Sequence, residues 1–265
     1  MKLQKSIWSD FVFERRTVNQ LARDHNKSVN WVRKQLEGYK LPRKDVLPHK
    51  TVVVADATFF KRLYGVLVLR ADKTKKNIFW RIIDSERIEA YARARKKIEN
   101  QGFEISALVS DGRPGVRGVF GDVPCQMCHF HQRQIIIRHL TTKPKLQAGI
   151  ELKKIAETLS KTTEEKFAEM LDLWHKKWQL FLKEMTYNPE TKRKFYTHRR
   201  IRSAHYSLRK NLPYLFTYQK YPELNIPTTT NSLEGCFSHL KELIKIHRGL
   251  SCKLKRKMID EILSK

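Results

Sequence analysis

The feature that most constrains the fold is a change in hydrophobic period near residue 50. Three runs rich in β-branched and aromatic residues follow it with short connections: Thr51 to Phe60, Leu63 to Arg70 and Lys76 to Ile83. Such runs predict an antiparallel meander of three strands. Ser85 to Asn100 then has the apolar spacing of a helix, and Phe103 to Asp111 is a further apolar strand. This part of the chain is therefore predicted to be an α/β domain.

The rest of the chain is mostly helical in pattern. A short strand is expected within Gly121 to Gln126, and helical spacing begins at Cys128, with breaks at Pro144, Thr162 and Pro189. Three strands, a helix, a strand, a helix and another strand is the order of elements in a ribonuclease H-like core. We therefore predict a ribonuclease H-like domain over residues 48–265.

Residues 1–47 are predicted to form a small DNA-binding segment and a linker. Two short amphipathic patterns lie there, and Ser28 stands where an N-cap would start the second helix. With Asn30, Arg33 and Lys34 on its outer side, the second helix fits the recognition helix of a helix-turn-helix. A generic unit of two packed helices is the alternative.

The charge balance indicates a polyanionic partner. The chain has 54 Lys and Arg against 27 Asp and Glu, and its formal net charge of +27 is spread along its length. Nucleic acid is the expected partner, because its phosphates bind Lys and Arg with release of counterions. A ribosome-associated or membrane-surface protein is the alternative. The sequence shows neither a long apolar run nor a signal-peptide core, so we expect a soluble cytoplasmic protein without disulfides.

One stretch, Thr191 to Lys210, concentrates basic residues and contains no acid. Aromatic residues interleave with the basic ones, which suits a groove for the DNA backbone. A solvated basic face is the alternative. The DNA-binding candidates in this stretch are Lys192, Arg193, Arg199, Arg200 and Arg202.

Three carboxylates are candidates for chemistry. Asp56 lies within the first apolar strand, and Asp111 ends the strand that follows the helix. Because a carboxylate in an apolar strand is costly unless it is paired or holds a cation, the two aspartates suggest a metal site. Two turn-capping aspartates are the alternative. Glu234 falls near the start of a late helix, where it can complement the helix dipole or complete the site.

Four motifs resemble, in order, those of DDE transposases of bacterial insertion sequences. They are "VVADATFF", "LVSDGRPG", the Cys-x-x-His pair within "CQMCHFHQ", and "TTTNSLEGCFSHLK" followed by "HRGLS". A Cys-x-x-His pair between the second Asp and the Glu is typical of the Mutator-like superfamily. The resemblance extends over about residues 50–255.

The resemblance implies a catalytic triad of Asp56, Asp111 and Glu234 that holds two Mg²⁺ or Mn²⁺ ions. The implied reaction is DNA cleavage at transposon ends followed by strand transfer into target DNA. An all-helical insertion is implied between Asp111 and Glu234, at about residues 140–225. The implied setting is the bacterial nucleoid, where a homodimer or higher oligomer acts on double-stranded DNA.

The resemblance further implies contacts with DNA or the active site from residues around the Glu motif: Thr230, Asn231, His247 and Arg248. Two rival functions stay open. One is a ribonuclease H-like nuclease or resolvase without strand transfer. The other is a non-catalytic DNA-binding zinc protein derived from a transposase.

The cysteine motif is larger than the family minimum, because Cys125 extends it to Cys-x-x-Cys-x-x-His. Cys125, Cys128 and His131 are spaced so that they can converge on one structural Zn²⁺, which takes four nitrogen or sulfur donors. The preferred fourth ligands are Cys236 and His239, ahead of His129 and Cys252. The alternative is a buried thiol cluster in which Cys128 and His131 brace the site by hydrogen bonding.

Overall fold

The computed structural model describes residues 2–42, 46–61, 63–247 and 249–265. Its β-strands are β1 (Lys50–Phe60), β2 (Tyr64–Ala71), β3 (Lys76–Ile83), β4 (Glu104–Ser110), β5 (Cys125–Met127), β6 (Met185–Asn188) and β7 (Arg193–Tyr196). Its α-helices are α1 (Lys2–Val12), α2 (Val18–Asp24), α3 (Val29–Gly38), α4 (Ile88–Asn100), α5 (Pro114–Val119), α6 (His129–Leu140), α7 (Gln147–Glu157), α8 (Glu164–Lys183), α9 (Arg199–Leu215), α10 (Thr217–Lys220), α11 (Asn231–Ile246) and α12 (Cys252–Leu263). Pro222–Leu224 forms a 3₁₀ turn. None of these helices is long and apolar enough to cross a membrane.

The main sheet has five strands in the order β3-β2-β1-β4-β5. Strands β2 and β3 are antiparallel, whereas β4 runs parallel to both β1 and β5. Residues 51–55 of β1 are all buried. Such an uninterrupted apolar run is typical of a strand that is covered on both faces. A mixed sheet with many helices confirms the predicted α/β class, and the predicted strands all form.

The second sheet is a two-stranded hairpin of β6 and β7, so the prediction of an all-helical insertion was wrong. Helix α8 ends at Lys183, and β-prone residues such as Thr186 and Phe195 pair across the hairpin. Asn188 makes the turn, since its Oδ1 accepts hydrogen bonds from the backbone N of Glu190 and Thr191 at 2.9 and 3.1 Å. The sequence predicted the break at Pro189, but not the short strands on either side of it.

The chain divides into two compact units. The first unit is Met1–His49, Asp56–Phe103 and Asn231–Lys265, and the second is Lys50–Ala55 and Glu104–Thr230. Helices α1 to α3 therefore belong to the same unit as α11 and α12. That residues 1–47 and 48–265 are separate domains stays a prediction.

In the first unit, α2 and α3 form the two helices that the sequence predicted. Thr17 caps α2 in a capping box, and Ser28 caps α3 by accepting a hydrogen bond from the backbone N of Trp31. Helix α1 was not predicted; its buried face includes Trp8, whose Nε1 donates to Glu261 of α12 at 3.3 Å. The N-terminal helices thus pack on α12 inside this unit.

In the second unit, α6 to α9 share one apolar core. Its fully buried members include Leu152, Phe167, Leu171, Ala204 and Leu208. Burying such side chains contributes about 1.5–3 kcal/mol each before entropy is counted. The basic stretch, through α9, and the cysteine motif, through α6, are therefore both packed into this core.

Candidate functional site

The first two candidate carboxylates each follow, by two residues, a valine of a parallel strand pair. Val54 of β1 and Val109 of β4 are partners in the parallel register. Asp56 comes two residues after Val54, and Asp111 comes two residues after Val109. The parallel pairing of β1 with β4 gives the two aspartates this correspondence in register.

Both aspartates are half-buried, and each binds a backbone amide close to itself in sequence. Asp56 Oδ1 accepts a hydrogen bond from the N of Ala57 at 2.8 Å. Asp111 follows β4 directly, and its Oδ1 accepts from the N of Arg113 at 3.1 Å. The bond from Arg113 occupies one carboxylate oxygen of Asp111. It corresponds to the turn-capping role that the sequence left open for this residue.

Glu234 lies in the first turn of α11, where the sequence placed it. The start of α11 is tied to the sheet within the first unit, because Arg70 of β2 donates to the carbonyl O of Ser232 at 2.9 Å. Glu234 Oε1 is buried and has no hydrogen-bond partner among the described residues. A buried acceptor in this state calls for a donor or a cation.

Mg²⁺ takes oxygen ligands, and the carboxylates of Asp56, Asp111 and Glu234 are ligands of this type. The buried Oε1 of Glu234 fits a cation as well. Within the described ranges, however, no group of three or more His, Cys, Asp or Glu side chains is arranged as a metal site. The triad and its Mg²⁺ or Mn²⁺ therefore stay predictions.

Cys128 of the Cys-x-x-His pair and the backbone of His129 hold the segment that precedes α11. Cys128 Sγ accepts a hydrogen bond from the N of Thr230 at 3.3 Å and lies 3.4 Å from Thr230 Oγ1. The N of His129 donates to the carbonyl O of Thr228 at 2.8 Å. Burial alone would raise the pKa of the Cys128 thiol, but hydrogen bonds from His131 and Thr230 outweigh it and lower the pKa. This arrangement matches the alternative of a buried thiol braced by hydrogen bonds.

Cys125 is engaged elsewhere. It lies in β5, and its Sγ donates to the carbonyl oxygens of Phe120 and Val123, both at 3.5 Å. A thiol that donates to carbonyls carries its proton, whereas zinc binds the thiolate. Cys128 is bound to Thr230 as well, so the two thiols have separate partners in this structure, and the structural Zn²⁺ stays a prediction.

The candidates for a fourth zinc ligand lie in the first unit or beside the motif. Cys236 Sγ accepts a hydrogen bond from Asn77 Nδ2 at 3.8 Å, and His239 and Cys252 are exposed. His129 Nε2 lies 2.6 Å from the carbonyl O of Leu215. Cys236 and His129 thus already have hydrogen-bond partners within their own units.

The predicted recognition helix presents its candidates to solvent. Asn30, Arg33 and Lys34 of α3 are exposed, and within the described residues none of the three side chains has a hydrogen bond or an ion pair. Helix α3 is short and capped at both ends. Ser28 caps its start, and near its end Lys257 Nζ donates to the carbonyl O of Leu36 at 2.7 Å. These side chains are therefore available to a ligand.

The candidates in the basic stretch are less available. Lys192 and Arg193 are exposed in the hairpin. The guanidinium of Arg199 lies 4.7 Å from the ring centroid of Phe195, and Arg200 Nη2 donates to the carbonyl O of Arg138 at 2.8 Å.

Arg202 is held from two sides. Its guanidinium lies 3.6 Å from the ring centroid of Tyr196, and its Nη1 donates to the carbonyl O of Leu182 at 2.8 Å. Leu182 is in the last turn of α8, so Arg202 satisfies a carbonyl that the helix itself leaves unpaired. Arg202 therefore stabilises the fold of the second unit.

The remaining candidates around α11 differ in exposure. Asn231 is exposed as the first residue of α11, whereas Thr230 is fully buried. His247 is buried, and its ring centroid lies 4.0 Å from that of Phe11. Arg248 lies outside the described residues.

Sequence reasoning missed Arg117, which is buried in α5 and lines a cavity of the second unit. Nothing in the motif "RPGVRGVF" distinguishes it from a surface arginine.

A scan of the chain against protein-family models finds no match, and a search of curated proteins finds no relative.

Proposed function

We propose that this chain is a DDE-type DNA transposase, which cleaves DNA at transposon ends and joins them to target DNA. The observation that carries the proposal is the register of two parallel strands: Val54 of β1 pairs with Val109 of β4. Asp56 follows Val54 by two residues within β1, and Asp111 follows Val109 by two residues, directly after β4. Two aspartates at such positions suit metal-dependent phosphodiester chemistry better than they suit a sheet that serves only as a scaffold.

The strand order supports the finer fold that this function requires. Strands β3 and β2 form an antiparallel pair at one side of the sheet, and β4 and β5 run parallel at the other, with β1 between them. We propose that this sheet is a ribonuclease H-like core and that Asp56, Asp111 and Glu234 are its catalytic carboxylates. The helical region between Asp111 and Glu234 is then an insertion in that core.

The chain's own residues have distinct parts in this proposal. Bound Mg²⁺ would supply Lewis-acid stabilisation of charge on the phosphate and activation of the attacking oxygen. The buried Oε1 of Glu234 is an acceptor without a donor, which suits a cation ligand. Cys128 is a positioning residue, because it binds Thr230, and α11 with Glu234 starts at the next residue.

DNA binding is part of the same proposal. The exposed side chains of Asn30, Arg33 and Lys34 would enter the major groove, and the net charge of +27 would favour duplex DNA generally. Action on two transposon ends at once would require a homodimer or a higher oligomer. We propose that the protein acts at the bacterial nucleoid.

The test uses DNA that carries the inverted repeats flanking the coding region. Cleavage and end joining are measured with Mg²⁺ for the natural chain and for Asp56→Asn, Asp111→Asn and Glu234→Gln. Loss of a carboxylate should lower cleavage by about 1,000-fold or more. Asp84→Asn is the matched control, because Asp84 is an exposed aspartate of the first unit.

Two results would contradict the proposal in different ways. Cleavage by Asp56→Asn at the rate of the natural chain would remove the carboxylates from the chemistry. Cleavage by the natural chain without any joining of ends would point to a nuclease or resolvase instead. DNA binding by each variant, measured in parallel, separates a chemical defect from a folding defect.

A further inference from the structure

A cavity of about 590 Å³ in the second unit is lined by cationic groups. Arg117 and Lys210 supply the charges, Tyr214 and Cys125 line other parts of the wall, and two glycines leave backbone exposed to the cavity. The lining residues, all within the described part of the chain, include no Asp or Glu. The volume falls in the range of ordinary small-ligand sites.

Arg117 is the deepest charged group of this cavity. Only 9% of its surface is exposed, its Nη1 donates to Asn211 Oδ1 at 3.3 Å, and its guanidinium lies 3.9 Å from the ring centroid of Tyr214. No salt bridge to Arg117 forms within the described residues. Burial lowers the pKa of Arg117, while Tyr214, Cys125 and Asp111 act in the opposite direction, and an arginine stays charged at neutral pH.

The guanidinium is held in place by buried amides. Asn211 Nδ2 donates to Gln132 Oε1 at 2.9 Å, and this bond fixes Asn211 so that its Oδ1 faces Arg117. Gln132 Nε2 in turn donates to Ser207 Oγ at 3.2 Å. Asp111 favours this charge from a distance, but no carboxylate forms a salt bridge with the guanidinium in the described part of the chain, and the guanidinium lines the cavity. A buried charge without such a partner is costly for folding, which suits a site that takes an anionic ligand.

We propose that this cavity binds a phosphate group, carried either by a DNA strand or by a free nucleotide. A cavity lined by two cationic side chains and by no acidic one favours an anionic ligand. The planar guanidinium of Arg117 matches the oxygens of a phosphate. Lys210 is exposed, lines the cavity and supplies a second positive charge. The proposal holds whether or not the carboxylates are catalytic, because it rests only on residues of this cavity.

The first experiment compares Lys210→Gln with Lys176→Gln. Both lysines are exposed in the second unit, both changes remove one positive charge, and only Lys210 lines the cavity. Binding of dAMP and of a single-stranded 12-mer by the full chain is measured between about 50 and 200 mM salt. Lys210→Gln should weaken binding of the cavity's ligand about tenfold, and for the 12-mer it should lower the salt slope by about one.

Two control variants separate a local effect of the charge at the cavity from a change in shape or in net charge. Lys210→Arg keeps the charge and should bind like the natural chain. Lys176→Gln lowers the net charge equally and should also bind like it. If Lys210→Gln and Lys176→Gln bind both probes equally well, the cavity is not a phosphate site.

The second experiment locates the ligand. Cys125 lines the cavity, so a ligand there should slow its modification by a small thiol reagent. The full chain with Cys236→Ser and Cys252→Ser removes the other accessible thiols, since Cys128 is fully buried. Protection by dAMP identifies a free nucleotide as a source of the phosphate, and protection by the 12-mer alone identifies a strand phosphate. If neither probe slows modification, the proposal fails.

Discussion

The two basic regions of the chain use their positive charge differently. On α3, in the first unit, Arg33 and Lys34 are exposed and have no ion pair or hydrogen bond in the described part of the chain. On α9, in the second unit, Arg200 and Arg202 donate to backbone carbonyls and Arg199 lies over a ring. The sequence marks both regions as candidate DNA contacts, but Arg33 and Lys34 are available, whereas Arg199, Arg200 and Arg202 of α9 are held by other groups of the second unit.

The largest effect is expected from Arg33→Ala combined with Lys34→Ala. The double variant should bind duplex DNA about 100-fold more weakly, and its salt slope should fall by about two, because two phosphate or base contacts are lost. Its free energy of unfolding should stay within about 0.5 kcal/mol of the natural value, because both side chains are exposed. Fluorescence anisotropy over a range of salt and urea unfolding measure the two quantities.

The control for the double variant is Lys27→Ala with Lys40→Ala, which removes two exposed charges outside α3. If this control weakens binding as much as the α3 variant does, α3 is not a recognition helix. The contrast between the two basic regions would then have no functional meaning.

The next largest effect is expected from Arg202→Ala, and it is on stability. The variant loses the bond to Leu182 and the contact with the Tyr196 ring, so the free energy of unfolding should fall by about 1–2 kcal/mol. Lys192→Ala, which removes an exposed charge of the same stretch, should change it by less than about 0.5 kcal/mol. If Lys192→Ala proved less stable than Arg202→Ala, Arg202 would not be the residue of this stretch that stabilises the fold.

The difference between these regions shows what the sequence can and cannot predict. The strands of the main sheet follow from local runs of β-branched and aromatic residues, and Ser28 as an N-cap follows from its position before an amphipathic run. The partners of the arginines do not follow, because Leu182 is 20 residues from Arg202 and Arg138 is 62 from Arg200. Such bonds depend on tertiary packing, which no local pattern encodes.

The cysteine motif illustrates the same limit within a few residues. Cys125 and Cys128 have the spacing of zinc ligands, yet β5 and the start of α6 direct them to different partners. Cys125 binds carbonyls beside a cavity, and Cys128 binds Thr230. Local runs of apolar residues suffice to place Asp56 within β1 and Asp111 at the end of β4, whereas thiol directions depend on the exact register of a three-residue strand.

Acid should destabilise the second unit through His205, which lies on α9 beside Arg202. Burial, and then the charges of His175 and Arg202, lower the pKa of His205 to about 4, against about 6.5 in an unfolded chain. Between these values the unfolded chain binds a proton that the folded chain does not, so stability falls as the pH is lowered through this window. The side chain is partly exposed, so we expect a loss of about 1 kcal/mol between pH 7 and pH 5.

Unfolding curves at both pH values, for the natural chain and for His205→Phe, measure this loss. The phenylalanine keeps a ring against Trp174, whose ring centroid is 5.1 Å from that of His205, and removes the titration. Arg202→Ala should raise the pKa of His205 and reduce the loss, because a nearby positive charge is gone. An unchanged pH dependence in both variants would exclude His205 as its source.

The smallest effect is expected from Arg200→Ala. Arg200 is exposed, and its Nη2 donates to the carbonyl O of Arg138 in the last turn of α6, where a cation also complements the helix dipole. Its loss should lower stability by about 0.5 kcal/mol and speed amide hydrogen exchange only in the last turn of α6. If the same variant instead weakens DNA binding as strongly as the α3 double variant, Arg200 is free to leave Arg138 for a phosphate. The arginines of α9 would then differ among themselves, with Arg202 bound to the fold and Arg200 shared between fold and ligand.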